Sequence, residues 1–355
     1  MDRRQEPARG GRQDHEQDGG AVTGANGEIG RSLLQTLARS GGYDAVTLDL
    51  TPLPDAMRTL VAASYAGNIM DRYLLDQVAA HHEVDMVFHL AALLSTRGER
   101  DPELAHQVNV EGTLNALRMA HNQSSRLGRP VRFLFPSSIA VYGLPGLDDK
   151  RAVGRVREEQ WNVPITMYGC NKLYCEHLGR YFTFHARQMG ALSQASRVDF
   201  RALRFPGLIS AETVPTGGTS DFGPEMIHAA AKGEPYRCFV APEATIPFMA
   251  MPDAVRALMD LARAERDALT TRVYNIGAFS VSAGQIAERV RGAFPEAAIT
   301  YEPDPVRAKI VGSWPEDVDD ERARKDWGWR PSYEWERAFD EYLVPSIRAR
   351  YARQR

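Results

Sequence analysis

The 355-residue sequence has few cysteines and no long apolar run. Its three cysteines, Cys170, Cys175 and Cys238, do not cluster as metal ligands do, so we expect a reduced, cytoplasmic chain. The nine histidines form no metal-binding spacing, and we expect no metal ion. A membrane-spanning helix needs about 18 or more consecutive apolar residues, and the sequence has no such stretch. A net charge of −3 supplies no basic field for nucleic acid or an anionic membrane.

The start of the chain is polar and poor in apolar side chains. Residues 1–19 are rich in Gly, Gln, Asp and Arg, which is typical of a disordered tail, and they lack the apolar segment of a secretory signal. Only Ala21 and Val22 are apolar before Thr23. This pattern predicts a truncated first strand, which would lower stability before it affected any chemistry.

A glycine-rich turn follows this short run. Glycines at positions 24, 27 and 30 form the pattern G-x-x-G-x-x-G and lead into an amphipathic run at 32–37. Such a turn lets the backbone approach a pyrophosphate, and the following helix offers free N–H groups to its phosphates. Asp49 lies 19 residues after Gly30 in the strand-like run 45–50, where a carboxylate accepts from a ribose 2′-hydroxyl. No basic residue follows before Arg58, so NAD is favoured over NADP.

Two polar residues share one face of a predicted helix. Tyr168 and Lys172 are spaced i and i+4, about one turn apart. A nearby cation favours the phenolate and lowers the tyrosine pKa, as a general base for an alcohol requires. The same spacing is typical of an exposed helix face with a snorkelling lysine. Upstream, an apolar run ends in Ser137 and Ser138, whose hydroxyls would either face a ligand crevice or cap a turn.

Together these motifs resemble the extended short-chain dehydrogenase/reductase superfamily over about residues 21–345. The Ser/Tyr/Lys triad of that superfamily corresponds to Ser138, Tyr168 and Lys172. Ser138 is preferred to Ser137 because the family pattern S-x-x-x-[YF]-G continues to Gly143. The family's strand-end motif beside the nicotinamide ribose and its structural asparagine correspond to 89–92 and Asn109.

The rest of the chain narrows the resemblance to the short-chain type of L-threonine 3-dehydrogenase. The similar segments are 91–95, 204–210, 215–221, 246–253, 313–315 and 323–329. The resemblance implies NAD as the cofactor, bound by Gly24, Asn26, Gly27, Glu28, Ile29, Gly30, Asp49, Asn68, Ile69, Leu90, Ala91, Ala92, Asn109, Tyr168 and Lys172. It implies L-threonine as the substrate, bound by Ser95, Ser138, Tyr168, Gly218, Thr219 and Ser220. The turn at 217–220 is equally typical of a lid hinge.

The resemblance also implies a reaction in threonine catabolism. Tyr168 would act as the general base that takes the proton of the β-hydroxyl, and the product would be 2-amino-3-oxobutyrate. Lys172 would lower the tyrosine pKa and bond the nicotinamide ribose, while Ser138 would hold the substrate oxygen. Two alternatives remain. A sugar-nucleotide epimerase or dehydratase uses the same triad without net NADH, whereas a non-catalytic NAD-binding regulator would not need the triad.

Strand-like and helical runs alternate from about residue 20, which predicts an α/β fold. We expect a Rossmann-type doubly wound parallel sheet with a smaller discontinuous α/β substrate-binding domain. The predicted strands are 45–50, 84–90, 131–136, 198–205 and 273–277. The predicted ranges are a disordered polar tail at 1–19, an NAD-binding Rossmann domain at 20–207 and 246–279, and a substrate-binding lid domain at 208–245 and 280–345. The segments 144–164 and 191–196 are longer than in the family pattern, and we expect surface loops there.

The helical segments 103–120 and 168–188 are candidates for a homodimer interface, as in the resembling family. Their apolar residues Met119, Leu173 and Leu178 could contact a partner subunit or pack within the monomer. Trp314, Trp327 and Trp329 are expected in the core of the small domain, and Asp253 is expected to cap the helix that follows it.

Overall fold

A computed structural model describes the chain at residues 18–186, 198–215 and 217–352. Residues 1–17 of the predicted tail and the predicted insertion at 191–196 lie outside these ranges. The strands are β1 (Asp18–Thr23), β2 (Tyr43–Asp49), β3 (Ala63–Ala66), β4 (Met86–His89), β5 (Val131–Ser138), β6 (Arg155–Val156), β7 (Val198–Phe205), β8 (Gly207–Ile209), β9 (Tyr236–Cys238), β10 (Thr245–Ala250), β11 (Val273–Asn275), β12 (Phe279–Ser282), β13 (Ile299–Tyr301) and β14 (Asp317–Val318).

The α-helices are α1 (Glu28–Ser40), α2 (Asp55–Arg58), α3 (Arg72–His81), α4 (Ser95–Arg100), α5 (Pro102–His106), α6 (Gly112–Leu127), α7 (Leu147–Val153), α8 (Met167–Phe184), α9 (Phe222–Lys232), α10 (Met251–Arg263), α11 (Ala283–Ala293), α12 (Pro305–Gly312), α13 (Glu321–Trp327), α14 (Trp335–Arg337) and α15 (Val344–Ala352). Short π-helical turns occur at Gln107–Glu111 and Ala338–Leu343, and 3₁₀ turns at Ile139–Val141 and Arg266–Ala268.

Seven parallel strands form the central sheet in the order β11-β7-β5-β4-β1-β2-β3. Helices α1 and α10 contribute to the apolar core on one face, and α6 and α8 to the core on the other. The strand order reverses at β1, which pairs with β2 on one side and β4 on the other. In such sheets, ligands bind at the carboxyl ends of the strands beside the reversal. The predicted Rossmann-type α/β fold is confirmed.

The first strand is complete, and the prediction of a truncated strand is wrong. β1 pairs with β2 from Asp18 onward, and with β4 over its last four residues. A Cβ at Gly19 would lie 1.9 Å from the carbonyl oxygen of Glu83, so glycine permits this close approach. The predicted disordered tail at 1–19 is therefore too long, because the strand pairing includes Asp18 and Gly19 despite their low apolar content.

The other predicted strands agree with the structure to within a few residues. The prediction of 198–205 coincides with β7. By contrast, β2 begins two residues earlier than predicted, at Tyr43, and β5 continues to Ser138. These shifts arise at strand ends, where polar residues still take part in backbone pairing.

The long segment 144–164 is folded, and the expectation of a plain surface loop is wrong. It forms helix α7 and strand β6, which pairs in parallel with β14. Lys150 and Val156 within it are buried, and the Lys150 ammonium donates to the carbonyl oxygen of Val311 over 3.4 Å. The segment therefore packs against α12 and β14, because buried side chains hold it in place.

Three smaller sheets, β12-β10-β8, β13-β9 and β14-β6, lie outside the central one. Strand β10 falls within the predicted NAD-binding range, yet it pairs with β8 and β12. The division into an NAD-binding domain and a lid domain stays a prediction. Trp314 is buried in the core that α9 and α11 share, as predicted. Trp329 is buried and Trp327 partly buried in the core beside α1 and α10 on the central sheet, so their predicted place in the core of the small domain is wrong.

Asp253 does not cap its helix, contrary to the prediction. It lies in the first turn of α10, which begins at Met251, and Ala250 occupies the N-cap position. Its buried carboxylate accepts from the backbone N–H groups of Ser332 and Tyr333, both within 3.0 Å, and from Arg256. Asp253 therefore anchors the later segment of the chain to α10.

The candidate interface residues on α6 and α8 pack within the protomer. Met119 is buried, and Leu173 and Leu178 are partly buried against the apolar core. A homodimer stays a prediction. In the described ranges, no helix has the length and apolar character needed to cross a bilayer.

Candidate active site

The glycine-rich turn lies between β1 and α1, at the point where the strand order reverses. Gly24 has a φ of +70°, and a Cβ there would lie 2.5 Å from the backbone nitrogen of Ala91. A Cβ at Gly30 would lie 2.5 Å from the Gly24 carbonyl oxygen. Helix α1 starts after Gly27 with no side-chain cap from the described residues. Its first N–H groups can therefore receive a phosphate, as the predicted pyrophosphate site requires.

Asp49 ends β2 beside this turn. One oxygen of its carboxylate accepts from the backbone N–H of Asn26 over 2.9 Å, and the other accepts from Thr51 N–H over 3.2 Å. The Asn26 side chain donates to Thr51 and to the carbonyl oxygen of Pro52. Asn26 therefore stiffens the turn, while the Asp49 carboxylate keeps lone pairs for a ribose hydroxyl.

Glu28 reaches across to a segment of the predicted lid. Its carboxylate accepts from the hydroxyl of Thr213, which follows β8. Partial desolvation raises the pKa of Glu28, while that hydrogen bond opposes the rise. Its neighbour Ile29 packs against the core beneath α1. The side chain of the predicted cofactor residue Glu28 thus contacts the protein itself, and its role in binding the cofactor stays a prediction.

The end of β4 is held against β1 by a threonine that sequence reasoning missed. The Thr23 hydroxyl bonds the buried His89 ring over 2.8 Å and accepts from Ala91 N–H over 3.3 Å. The other His89 nitrogen bonds Thr113 on α6 over 3.0 Å. Burial lowers the pKa of His89 to about 3, so the ring is neutral. This network positions the predicted cofactor residues Leu90, Ala91 and Ala92 next to Gly24.

Asn109, Asn68 and Ile69 are engaged within the chain. The buried Asn109 amide bonds both backbone groups of Leu93 and donates to Asn171 on α8. Asn68 accepts from Met70 N–H, and Ile69 is buried against Gly112. Asn109 therefore has the structural role that was predicted for it, joining the loop after β4 to α8.

Ser138 and Tyr168 lie together at the carboxyl edge of the sheet. The Ser138 hydroxyl lies near enough to Tyr168 to lower the phenol pKa, and it accepts from Ala140 N–H over 3.1 Å. Helix α8 reaches this turn because Gly169 has no side chain: a Cβ there would lie 2.1 Å from the Ala140 carbonyl oxygen. Ser137 instead points into the core, where its hydroxyl donates to Glu176. Of the two serines, Ser138 is the one that contacts Tyr168.

Lys172 is buried beneath Tyr168. Its ammonium donates to the Pro136 carbonyl oxygen over 2.6 Å and lies 5.5 Å from the centre of the Tyr168 ring. Burial lowers the pKa of Lys172 to about 8. Burial also raises the pKa of Tyr168 above its ordinary value, against the effect of the nearby Ser138 hydroxyl. With only the chain's own groups present, the pKa of Tyr168 is raised, so the prediction that Lys172 lowers it is wrong.

The predicted substrate residues meet between α4 and the turn at 217–220. Ser95 and Thr219, both buried, share a hydrogen bond of 2.9 Å. Thr96 donates to the Gly217 carbonyl oxygen, also over 2.9 Å. At the other end of α4, Glu99 accepts from the N–H of Met167, next to Tyr168. Helix α4 therefore links this turn to the start of α8.

The turn at 217–220 was predicted to bind the substrate or to act as a lid hinge, and both roles stay predictions. Gly217 has a φ of +86°, as a glycine hinge can adopt, and Ser220 is partly exposed. The Gly218 N–H donates to Asp221, and its carbonyl oxygen accepts from Arg307 over 2.8 Å. The backbone of Gly218 is therefore used internally, the Thr219 hydroxyl is bonded to Ser95, and Ser220 is partly exposed.

This architecture agrees with comparisons to known proteins. The family model described as "NAD dependent epimerase/dehydratase family" matches residues 21–277. The chain belongs to this family. L-threonine 3-dehydrogenase, mitochondrial, of Bos taurus is 32% identical over 320 residues, which cover 88% of this chain and 78% of that protein.

Two solved structures show the same similarity. The GalE-like L-threonine dehydrogenase from Cupriavidus necator in its holo form is 36% identical, with a TM-score of 0.79 and coverage of 94% of this chain and 99% of that one. A monomeric L-threonine 3-dehydrogenase from a metagenome is 31% identical, with a TM-score of 0.80 and coverage of 93% and 99%. The chain therefore has the fold of NAD(H)-binding enzymes and is an NAD-dependent oxidoreductase.

The residues present fit a dinucleotide. Side chains at Gly24 and Gly30 would collide with the backbone, and α1 presents its first N–H groups beside Asp49. The predicted set missed Thr23, Thr213 and the buried Glu176. Only Glu176 left a signal in the sequence, because it continues the spacing of Tyr168 and Lys172 by four residues.

We expect Asp49→Asn to weaken discrimination between the two nicotinamide cofactors. The carboxylate would accept from the ribose of NAD and repel the 2′-phosphate of NADP, so losing its charge raises the KM for NAD about tenfold and improves use of NADP. Steady-state kinetics with both cofactors measures the ratio. Asp44→Asn, an exposed change on the same strand, is the control. An unchanged ratio in the Asp49 variant would rule out this role.

Proposed function

We propose that the chain is an NAD-dependent L-threonine 3-dehydrogenase that oxidises the β-hydroxyl of L-threonine to 2-amino-3-oxobutyrate. The observation that carries the chemistry is the placement of Tyr168 beside Ser138 and above the buried Lys172, whose ammonium lies 5.5 Å from the centre of the Tyr168 ring. The identity of the substrate is supported by relatives that carry this name and that align over most of the chain.

In this proposal, the proton leaves the substrate through Tyr168. Ser138 holds the β-hydroxyl oxygen by a hydrogen bond, and the Tyr168 oxygen takes its proton. Bound NAD would accept the hydride from the β-carbon. Because the chain's own groups raise the pKa of Tyr168, the phenolate needs added positive charge, which Lys172 and an oxidised nicotinamide would supply together. Lys172 would also bond the nicotinamide ribose.

The charged ends of the amino acid would meet the hydroxyls of Ser95, Thr219 and Ser220. Ser95 and Thr219 already share a hydrogen bond, so each keeps further donor or acceptor capacity for a carboxylate or an ammonium. The glycine at 217 would let the turn move as the substrate enters. Binding and hinge motion are thus combined in one segment.

A sugar-nucleotide epimerase or dehydratase remains the second candidate function. The family description names that activity, and it would use Ser138, Tyr168 and Lys172 in the same way. The two candidates differ in their products, because the epimerase returns the hydride and leaves no net NADH.

Absorbance at 340 nm separates the candidates. Purified protein with NAD would be given L-threonine, and in parallel L-serine, L-allo-threonine or a UDP-sugar. We expect NADH to accumulate with L-threonine alone. Conversion of the UDP-sugar without NADH, together with inert amino acids, would favour the epimerase.

We further propose a cytoplasmic homodimer formed through α6 and α8. Three aromatic side chains on α8, Tyr174, Tyr181 and Phe184, are each about half exposed. Burying such side chains against a second copy removes apolar surface from water. Light scattering after gel filtration is expected to give twice the chain mass of 39.5 kDa. A wild-type mass of one chain would contradict the dimer. In that case Tyr181→Arg would leave the measured mass unchanged.

A further inference from the structure

A buried acid continues the polar face of α8 behind the triad. Glu176 lies one turn after Lys172 and two turns after Tyr168, on the face that packs against β5 and β7. Its carboxylate accepts from Arg204 at both oxygens, over 2.9 Å from Nε and 2.6 Å from Nη2. One of these oxygens also accepts from the Ser137 hydroxyl over 2.5 Å. All three side chains are almost fully buried.

Arg204, the partner of Glu176, lies on the middle one of three neighbouring strands. In the sheet ladder, Arg204 on β7 lies beside Ser137 on β5 and Asn275 on β11. Its Nη1 donates to the Tyr142 hydroxyl over 2.9 Å and to the Glu158 carbonyl oxygen over 2.8 Å.

The network closes at Tyr142, after the turn that carries Ser138. The Tyr142 hydroxyl donates in turn to the Asn275 amide oxygen over 2.6 Å. Ser138 therefore lies between two residues, Ser137 and Tyr142, that are both bonded to the Glu176–Arg204 pair. The pair is thus hydrogen-bonded to residues on both sides of Ser138.

Stability alone does not account for such a pair. Taking two charges out of water costs much of what their attraction returns, and apolar replacements of buried ion pairs are often neutral or stabilising. A planar guanidinium bound at both carboxylate oxygens does fix distance and orientation. The geometry therefore points to a positioning role.

We propose that the Glu176–Arg204 pair is the positioning element of the active site: it fixes the turn that carries Ser138 against the helix that carries Tyr168 and Lys172, and it keeps the Lys172 ammonium charged. This proposal rests on the function proposed above, since it assigns work to the same triad. Glu176 and Arg204 act through Ser137, Tyr142 and Lys172 rather than by touching the substrate.

The charge on Lys172 depends on few neighbours. Tyr168, Cys175 and Glu176 face it from α8, and His89 faces it from β4. His89 is neutral, and burial raises the pKa of the Cys175 thiol to about 11. Desolvation lowers the pKa of Lys172, and Cys175 and Glu176 on the same helix oppose that shift.

The test combines Glu176→Gln with the double variant Glu176→Met/Arg204→Met. The single variant leaves a buried guanidinium without its partner and can fail to fold, whereas the double variant removes both charges and keeps apolar volume. The control is Asp199→Asn, which breaks another buried ion pair on β7, with Arg201. Within the part of the chain that the structure describes, the hydrogen bonds and ion pairs of these two side chains involve neither Ser137 nor α8. Each protein is assayed for thermal stability, for NADH affinity across pH by fluorescence, and for L-threonine turnover.

We expect Glu176→Gln to lose NADH affinity at a pH about one unit lower than the wild type, because Lys172 loses its proton earlier. We expect turnover in the double variant to fall about 10²-fold through misplacement of Ser138, with KM changed little. Asp199→Asn should lower thermal stability and leave both readouts unchanged.

A folded double variant with wild-type turnover would overturn the proposal. The proposal would also be overturned if the Asp199 control lost as much turnover as the Glu176 variants and Glu176→Gln kept the wild-type pH midpoint. The pair would then have only a structural role. If the wild type binds NADH but leaves L-threonine unchanged, the proposed function fails, while a shifted midpoint in Glu176→Gln still supports the positioning role.

Discussion

Replacing Tyr168 by Phe is expected to lower the turnover of L-threonine by about 10²–10⁴-fold, the usual size of a general-base contribution. The variant loses only the hydroxyl beside Ser138 and keeps the ring above Lys172. NADH binding and thermal stability should therefore stay near those of the wild type. Single-turnover measurements of NADH formation, with fluorescence titration of NADH, would separate chemistry from binding. Tyr73→Phe, on the exposed side of α3, is the matched control.

Near wild-type turnover in Tyr168→Phe with the cofactor bound would remove Tyr168 from the reaction. The pH profile gives an independent check. Because burial raises the pKa of Tyr168, the phenolate fraction increases with pH, so turnover should rise from neutral pH upward. Lys172, with a pKa of about 8, loses its charge above that pH, so the rise should end there unless cofactor binding shifts the value.

Replacing Gly24 by Ala is expected to have the largest effect outside the triad. The residue has a φ of +70°, and an added Cβ would lie within 2.8 Å of three backbone atoms of Leu90 and Ala91. Left-handed strain and overpacking together should cost about 2–5 kcal/mol of stability. The turn would also move away from the N–H groups of α1. Since a hydrogen bond to a charged phosphate is worth about 1.5–3 kcal/mol, NADH binding should weaken about tenfold or more.

Gly128→Ala isolates the backbone part of this effect. Gly128 has a φ of +69°, and a Cβ there would meet nothing within 4 Å. It should cost about 1–2 kcal/mol and leave NADH binding unchanged. Chemical denaturation and NADH titration of both variants give the comparison. Equal losses of stability and unaltered binding in Gly24→Ala would show that the turn does not approach the β4 loop as described.

The elements that depend on local pattern were predictable. The turn after β1 is predictable from the glycine spacing at 24, 27 and 30, and β7 from the strand-like run at 198–205. Both patterns depend on local backbone geometry alone. The first strand was mispredicted because the glycine at position 19 allows a close approach to Glu83, and this contact joins segments that are distant in the sequence. The segment 144–164 was mispredicted for a similar reason: its order comes from packing on α12 and β14, not from its own composition.

The sequence by itself determined the α/β fold and the chemical inventory of the site, because spacing along a helix and glycine positions in a turn are local properties. Only the tertiary structure decided what these groups do to one another. It separated Ser138 from Ser137, brought Ser95 to Thr219 across more than a hundred residues, and placed Glu176 against Arg204. It also reversed the expected pKa shift of Tyr168, because burial depends on every element packed around the ring, and no spacing in the chain encodes that sum.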